Sequence, residues 1–150
     1  MTRIVQGYVN KISCRACSAV SYVFVFSGDT DMVTSGLAFL TSIKTKELVL
    51  YEMTTEEWNN YLDQSAAKDR ISNLLKRDDL RVARYLGAEK NGPDLKGLSF
   101  QEFQKQYIPP TIIYACPICE IGEAPCIQKR SIAEYNKDGG HILCIKLLLI

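Results

Sequence analysis

Apolar and polar positions alternate loosely from Ile4 to Ile12, which reads as a strand running into Cys14-Arg15-Ala16-Cys17. Beyond the cysteines, Ala19 to Phe26 is dense in β-branched and aromatic residues that suit a pleated, half-buried surface. Ser27-Gly28-Asp29-Thr30-Asp31 carries turn chemistry and closes that strand. Strand, CxxC turn and strand together predict a hairpin with cysteines at its tip. Leu37 to Ile43 reads equally well as strand or helix, and Glu47 to Glu52 reads as a further strand.

The period then changes. Thr54 with Glu57 forms a capping-box pattern, and Trp58, Tyr61 and Leu62 follow at i, i+3, i+4. From Ser65 to Leu86 the residues Ile71, Leu74, Leu75, Val82 and Leu86 recur at helical spacing. Asp78 and Asp79 are placed to cap a second helix inside this stretch, and Gly87 to stop it. Asn91 to Asp94 reads as a loop. Ser99 with Glu102 repeats the capping signature ahead of a short helix whose one face carries Phe100, Phe103 and Tyr107, and Pro109-Pro110 ends it. Thr111 to Ala115 is a strand entering Cys116-Pro117-Ile118-Cys119. A polar loop containing Cys126 follows, and Gly139-Gly140 precedes a buried terminal strand from Ile142 to Ile150. The expectation is an α+β fold in a single domain, 1–150. An antiparallel sheet comes from both chain ends (1–53 and 111–150), and a helical insertion (54–110) packs on it.

Composition narrows the class. The 150 residues are 47% apolar and 23% charged, which suits one soluble globular core and excludes a disordered chain, a coiled coil or a collagen-like repeat. Eighteen basic against seventeen acidic side chains leave a formal charge of +1, so the overall balance favours neither nucleic acid nor an anionic membrane. The N-terminus has no continuous apolar stretch of the kind a secretory signal needs, and the C-terminal apolar run is under half the ~20 residues that span a bilayer. A cytoplasmic location is therefore expected, where paired cysteines serve as metal ligands or redox centres more often than as disulfides.

The six cysteines carry most of the chemical information. Cys14-x-x-Cys17 and Cys116-x-x-Cys119 each follow a strand, and two intervening residues let both sulfurs of one turn face a common ion. Two such turns supply the four thiolates of a closed tetrahedral structural Zn2+ site, with iron as the alternative ion. The turns, above all Tyr114-Ala115-Cys116-Pro117-Ile118-Cys119, resemble the zinc knuckles of zinc-ribbon and rubredoxin-like proteins. That resemblance covers the two turns and their flanking strands. It departs from the pattern after the second cysteine, where those knuckles often have glycine and this chain has Ser18 and Glu120. Ninety-eight residues separate Cys17 from Cys116. Closing a loop of that size costs on the order of 4–5 kcal/mol, and a four-thiolate zinc contributes roughly 10–16 kcal/mol, so the ion wins. Cys126, His141 and Cys144 are alternative ligands. A redox dithiol is the competing reading of Cys116-Pro117-Ile118-Cys119, but the continuation Glu120 to Pro125 is a poor helix and offers no helix N-terminus to activate a thiol.

No residue set argues for catalysis. A closed thiolate site has no open position for water, the one histidine cannot make HExxH, and no phosphate-binding glycine loop is present. The acidic pairs Asp29/Asp31, Glu56/Glu57 and Asp78/Asp79 sit at turns and helix starts, where capping accounts for them. Charge is nevertheless uneven. Glu47 to Asp63 holds five acids and no bases, and Lys68 to Arg84 holds six bases and three acids. Arg70, Arg77, Arg81 and Arg84 share helical spacing that would form a basic stripe for phosphates or an acidic partner. The expected function is non-catalytic recognition of another protein, as by an inhibitor or a toxin-neutralising immunity protein. The alternative is a zinc-ribbon-like module that binds nucleic acid through the basic helix.

Overall fold

The computed structural model describes residues 3–27, 37–52, 64–90, 95–145 and 147–149. The readings placed on Thr54 to Leu62, on Asn91 to Asp94 and on the Asp29/Asp31 and Glu56/Glu57 pairs lie outside these residues.

Among the described residues, eleven strands and three helices follow one another. In chain order they are β1 Arg3–Val5, β2 Gly7–Ser13, β3 Val20–Phe26, β4 Leu37–Ser42, β5 Glu47–Glu52, α1 Gln64–Leu75, β6 Leu80–Arg81, β7 Tyr85–Glu89, α2 Phe100–Gln106, β8 Thr111–Ala115, β9 Glu123–Arg130, α3 Ile132–Lys137, β10 His141–Ile145 and β11 Leu147–Leu149. The class is α+β and dominated by strands. One sheet has the order β3-β2-β9-β8-β7 and is antiparallel throughout. A second has the order β10-β5-β4-β6, and β1 pairs with β11 on its own.

Several expectations are corrected. The strands do not form one antiparallel sheet, because β5 with β10 and β1 with β11 are parallel pairs. The segment Ile142 to Ile150 is not one strand but two, each with its own partner. Residues 54–110 are not a purely helical insertion, since they supply strands β6 and β7. The helical stretch expected from Ser65 to Leu86 is helix only as far as Leu75, and Lys76 takes the left-handed conformation at φ 54° that ends it. Asp79 caps no second helix. Gly87 stops none either and sits instead where the β7–β8 register shifts, at φ 145°. Cys126 lies not in a loop but in strand β9.

Alternation explains how the second sheet is buried on both faces. In β5, Leu48 and Leu50 point to a core formed with Val9, Phe24, Tyr135 and Leu147. Val49 and Tyr51 point to the other side, where Leu40, Ile71 of α1 and Leu80 close over them. Four consecutive buried residues, 48–51, are therefore the mark of a sheet with a core on each face. β10 repeats the division, with Ile142 and Cys144 facing one core and Leu143 and Ile145 the other. A third core, made of Ile12, Val23, Ala83, Tyr114 and Ala124, includes Cys14 and Cys116.

The link between α1 and β6 is held by charge. Asp79, buried, accepts from Arg77 Nε at 2.9 Å, Arg77 Nη2 at 2.6 Å and the Ser42 hydroxyl, and Arg77 also donates to Glu47. The Arg77 guanidinium holds the Asp79 carboxyl well below the usual carboxylate range, against the opposing effect of burial. This contribution to stability is complete above about pH 4, where the unfolded carboxyl ionises, and is lost as the pH falls below it. Asp79→Asn is expected to cost about 2 kcal/mol at pH 7 and to flatten the acid side of a stability-versus-pH curve measured by urea unfolding.

Candidate metal centre

Sheet order places the two CxxC turns together. Cys14 to Ala19 connects β2 to β3, and Cys116 to Gly122 connects β8 to β9. β2 and β9 are antiparallel neighbours, with Ile12 opposite Cys126, so the strand that enters one turn lies beside the strand that leaves the other. Both turns thus open at the same end of the five-stranded sheet, and Arg15 N–H donates to Glu123 O at 2.9 Å to join them.

The turns are near copies. Ser18 N–H donates to Cys14 O at 3.0 Å, and Glu120 N–H donates to Cys116 O at 2.9 Å. Ser18 and Glu120 both adopt left-handed backbone, with φ 62° and 66°. These are the two positions where glycine is absent from the knuckle pattern, and the backbone takes glycine's conformation anyway. The copies differ in length by one residue. Cys14 N–H donates to Ala19 O, five residues on, whereas Cys116 N–H donates to Gly122 O, six on. Ile121 in the longer turn is almost wholly exposed.

Cys14, Cys17, Cys116 and Cys119 bring their sulfurs within 4.8 Å of one another. Across the two turns, Cys14 Sγ lies 3.6 Å from Cys119 Sγ, and Cys17 Sγ lies 3.7 Å from Cys116 Sγ. Sulfurs at the corners of a tetrahedron with ~2.3 Å metal bonds stand about 3.8 Å apart, so these separations fit one ion. Backbone N–H groups support the set. Ala16 and Cys17 donate to Cys14 Sγ at 3.3 and 3.4 Å, Ile118 and Cys119 to Cys116 Sγ at 3.4 and 3.5 Å, and Gly122 to Cys119 Sγ at 3.3 Å. The Cys17 amide, with that of Ala16, pulls the Cys14 thiol down to about 6, while burial pushes the Cys116 thiol up to about 12. A cation bound among the sulfurs supplies the positive charge that keeps both as thiolates.

Gly122 is the site residue that the motif alone does not reveal. A methyl group there would sit 2.3 Å from Cys14 Sγ and 2.8 Å from Ala16 Cβ, so only glycine lets the second turn close on the first. Ion pairs brace the rim: Arg15 reaches Glu89 at 2.6 Å and Glu123 at 3.7 Å.

The other candidate ligands stand apart from this group. Cys126 donates to Gln128 O at 3.7 Å from within β9, and Cys144 packs against the core beneath β5. His141 is exposed on β10, with Nε2 3.9 Å from Glu47. Nor do the four arginines make a stripe. Arg70 is on α1, Arg77 is committed to Glu47 and Asp79, Arg81 lies in β6 and Arg84 in the link to β7. Arg81 and Arg84, with Lys68, instead line a cleft of about 330 Å³ beside Cys116 that also contains Asp69 and Glu120.

Searches against protein-family models, curated proteins and solved structures find no match to this chain. No helix among the described residues is long and apolar enough to cross a membrane.

Two substitutions probe the site from opposite directions. Gly122→Ala is expected to weaken metal binding by about 10–100-fold, read by competition with a chromophoric chelator. Ser18→Gly relieves a left-handed non-glycine residue and is expected to raise stability by about 1 kcal/mol in urea unfolding of the metal-loaded protein.

Proposed function

We propose that the chain is a non-catalytic protein-binding module whose fold is held by one structural zinc ion on Cys14, Cys17, Cys116 and Cys119. Four sulfurs at tetrahedral spacing, with amides turned towards them, support zinc; a site closed by four thiolates leaves no position for substrate or water. Bound to the four thiolates, the ion ties the N-terminal hairpin to β8 and β9 and outweighs the cost of the long intervening loop.

The observation that carries the recognition role is helix α2. Ser99 caps it, its hydroxyl accepting from Glu102 N–H at 3.3 Å, yet α2 has no buried residue. Phe103 and Tyr107 stack with ring centroids 5.1 Å apart, and Phe100 (73% exposed) and Ile108 (50% exposed) extend the apolar patch. Exposed aromatic residues grouped on one short helix are the composition of a protein contact. An inhibitor or immunity-type role is a narrower form of the same reading. The nucleic-acid alternative draws less support, because the basic helix on which it rested ends before Arg77.

Elemental analysis is expected to give one zinc per chain, and a chelator should lower the melting temperature sharply. The triple variant Phe100→Ser/Phe103→Ser/Tyr107→Ser is expected to change stability by less than about 0.5 kcal/mol. It should also abolish retention of a stoichiometric partner from native extract. Partner retention unchanged in that variant, or no stoichiometric partner for the unaltered chain, overturns the recognition role.

A further inference from the structure

The four sulfurs are not equally protected. Cys14 and Cys116 are buried and each accepts two backbone N–H bonds; Cys119 is half-buried and accepts one. Cys17 is exposed, and no backbone N–H among the described residues points at its sulfur. The difference follows from turn length. The extra residue of the second turn swings Gly122 N–H onto Cys119 Sγ, three residues back. The residue three beyond Cys17 is Val20, which is already the first residue of β3, opposite Ser13. The shorter turn therefore leaves its second sulfur bare.

An N–H bond to a metal-bound thiolate withdraws electron density from sulfur, and burial bars access; both lower its reactivity towards electrophiles. Cys17 lacks both restraints. Its nearest sulfur across the turns is that of Cys116, at 3.7 Å. The two cysteines outside the cluster, Cys126 and Cys144, are half-buried, and burial pushes both thiols up, away from the reactive thiolate.

We propose that Cys17 is the site of covalent modification on this chain, that its reactant class is a small aliphatic disulfide, and that Cys116 resolves the product. The proposal rests on the zinc reading above. The Cys17 thiolate attacks one sulfur of the disulfide, whose S–S bond breaks; a mixed disulfide forms and one small thiolate leaves. The Cys116 thiolate then attacks the Cys17 sulfur, displacing the second small thiolate and forming a Cys17–Cys116 bridge. Two protein thiolates are oxidised, one small disulfide is reduced to two thiolates, and the divalent ion leaves unchanged in charge after losing two of its four ligands.

The test uses the full chain, shown by elemental analysis to carry one zinc before treatment. Trypsin cuts after Arg15, so Cys14 and Cys17 fall in different peptides. Limiting iodoacetamide is expected to label Cys17 ahead of the other five cysteines. Glutathione disulfide is expected to yield the Cys17–Cys116 bridge with release of one zinc per bridge, read with a chromophoric chelator. First labelling at any other cysteine, or a bridge from Cys17 to Cys14 or Cys119, overturns the proposal while the zinc reading stands. A protein that takes up no zinc overturns both.

Discussion

The antiparallel pairing of β2 with β9 is the constraint on which the rest of the structure depends. Each of these strands belongs to a hairpin built around a CxxC turn, and their pairing sets the two hairpins side by side in the order β3-β2-β9-β8. The convergence of sulfurs from near the two ends of the chain follows from strand direction, before any ion is considered. The pairing alone does not close the site. The register shifts between Lys11 and Ile12, and the turns meet only because Gly122 presents no side chain to Cys14. An ion on the four sulfurs would stabilise a juxtaposition that the ladder has already prepared, and would make a 98-residue separation tolerable.

The metal centre is continuous with a hydrophobic core. Cys14 and Cys116 pack with Ile12, Val23, Tyr114 and Ala124, so two of the four sulfurs sit on the apolar side of the turns. Burial there favours the neutral thiol, and amide donors favour the thiolate; at Cys14 the donors prevail and at Cys116 burial prevails. Cys14 and Cys116 are thus shifted in opposite directions. A divalent ion on the sulfurs would favour the thiolate at both, and would tie the packing of this core to the occupancy of the site.

What was legible in the sequence follows the range of the interactions concerned. The first hairpin, the strand Thr111–Ala115 and the Ser99-capped helix are set by neighbours in the chain, and alternation or capping residues display them. The clustering of four cysteines was visible in two spacings. The parallel pairs β5–β10 and β1–β11 were not, because nothing local in a strand names a partner that lies far along the chain. The helical pattern through Val82 and Leu86 misled for a related reason. Val82 faces the core under α1 from an irregular link, and Leu86 is exposed on an edge strand; apolar residues in two different surroundings imitated one helical face. Ser18 and Glu120 concealed the knuckle backbone behind residues that rarely adopt it. Gly122 showed no signal at all, since its role is a clearance of ångströms between two turns.

Helix α2 differs in kind from these elements. β7 and β8 pair with Glu89 opposite Thr111, so the chain leaves the sheet and returns to it at a single point. A seven-residue helix on such an excursion is too short to persist on its own propensity, and none of its residues is fully buried. Phe100, Phe103, Tyr107 and Ile108 are exposed in part or for the most part, so much of the free energy that burial would contribute is not realised there. The packed sheets hold the apolar cores, and α2 stands apart from them as a short element whose apolar side chains stay largely exposed.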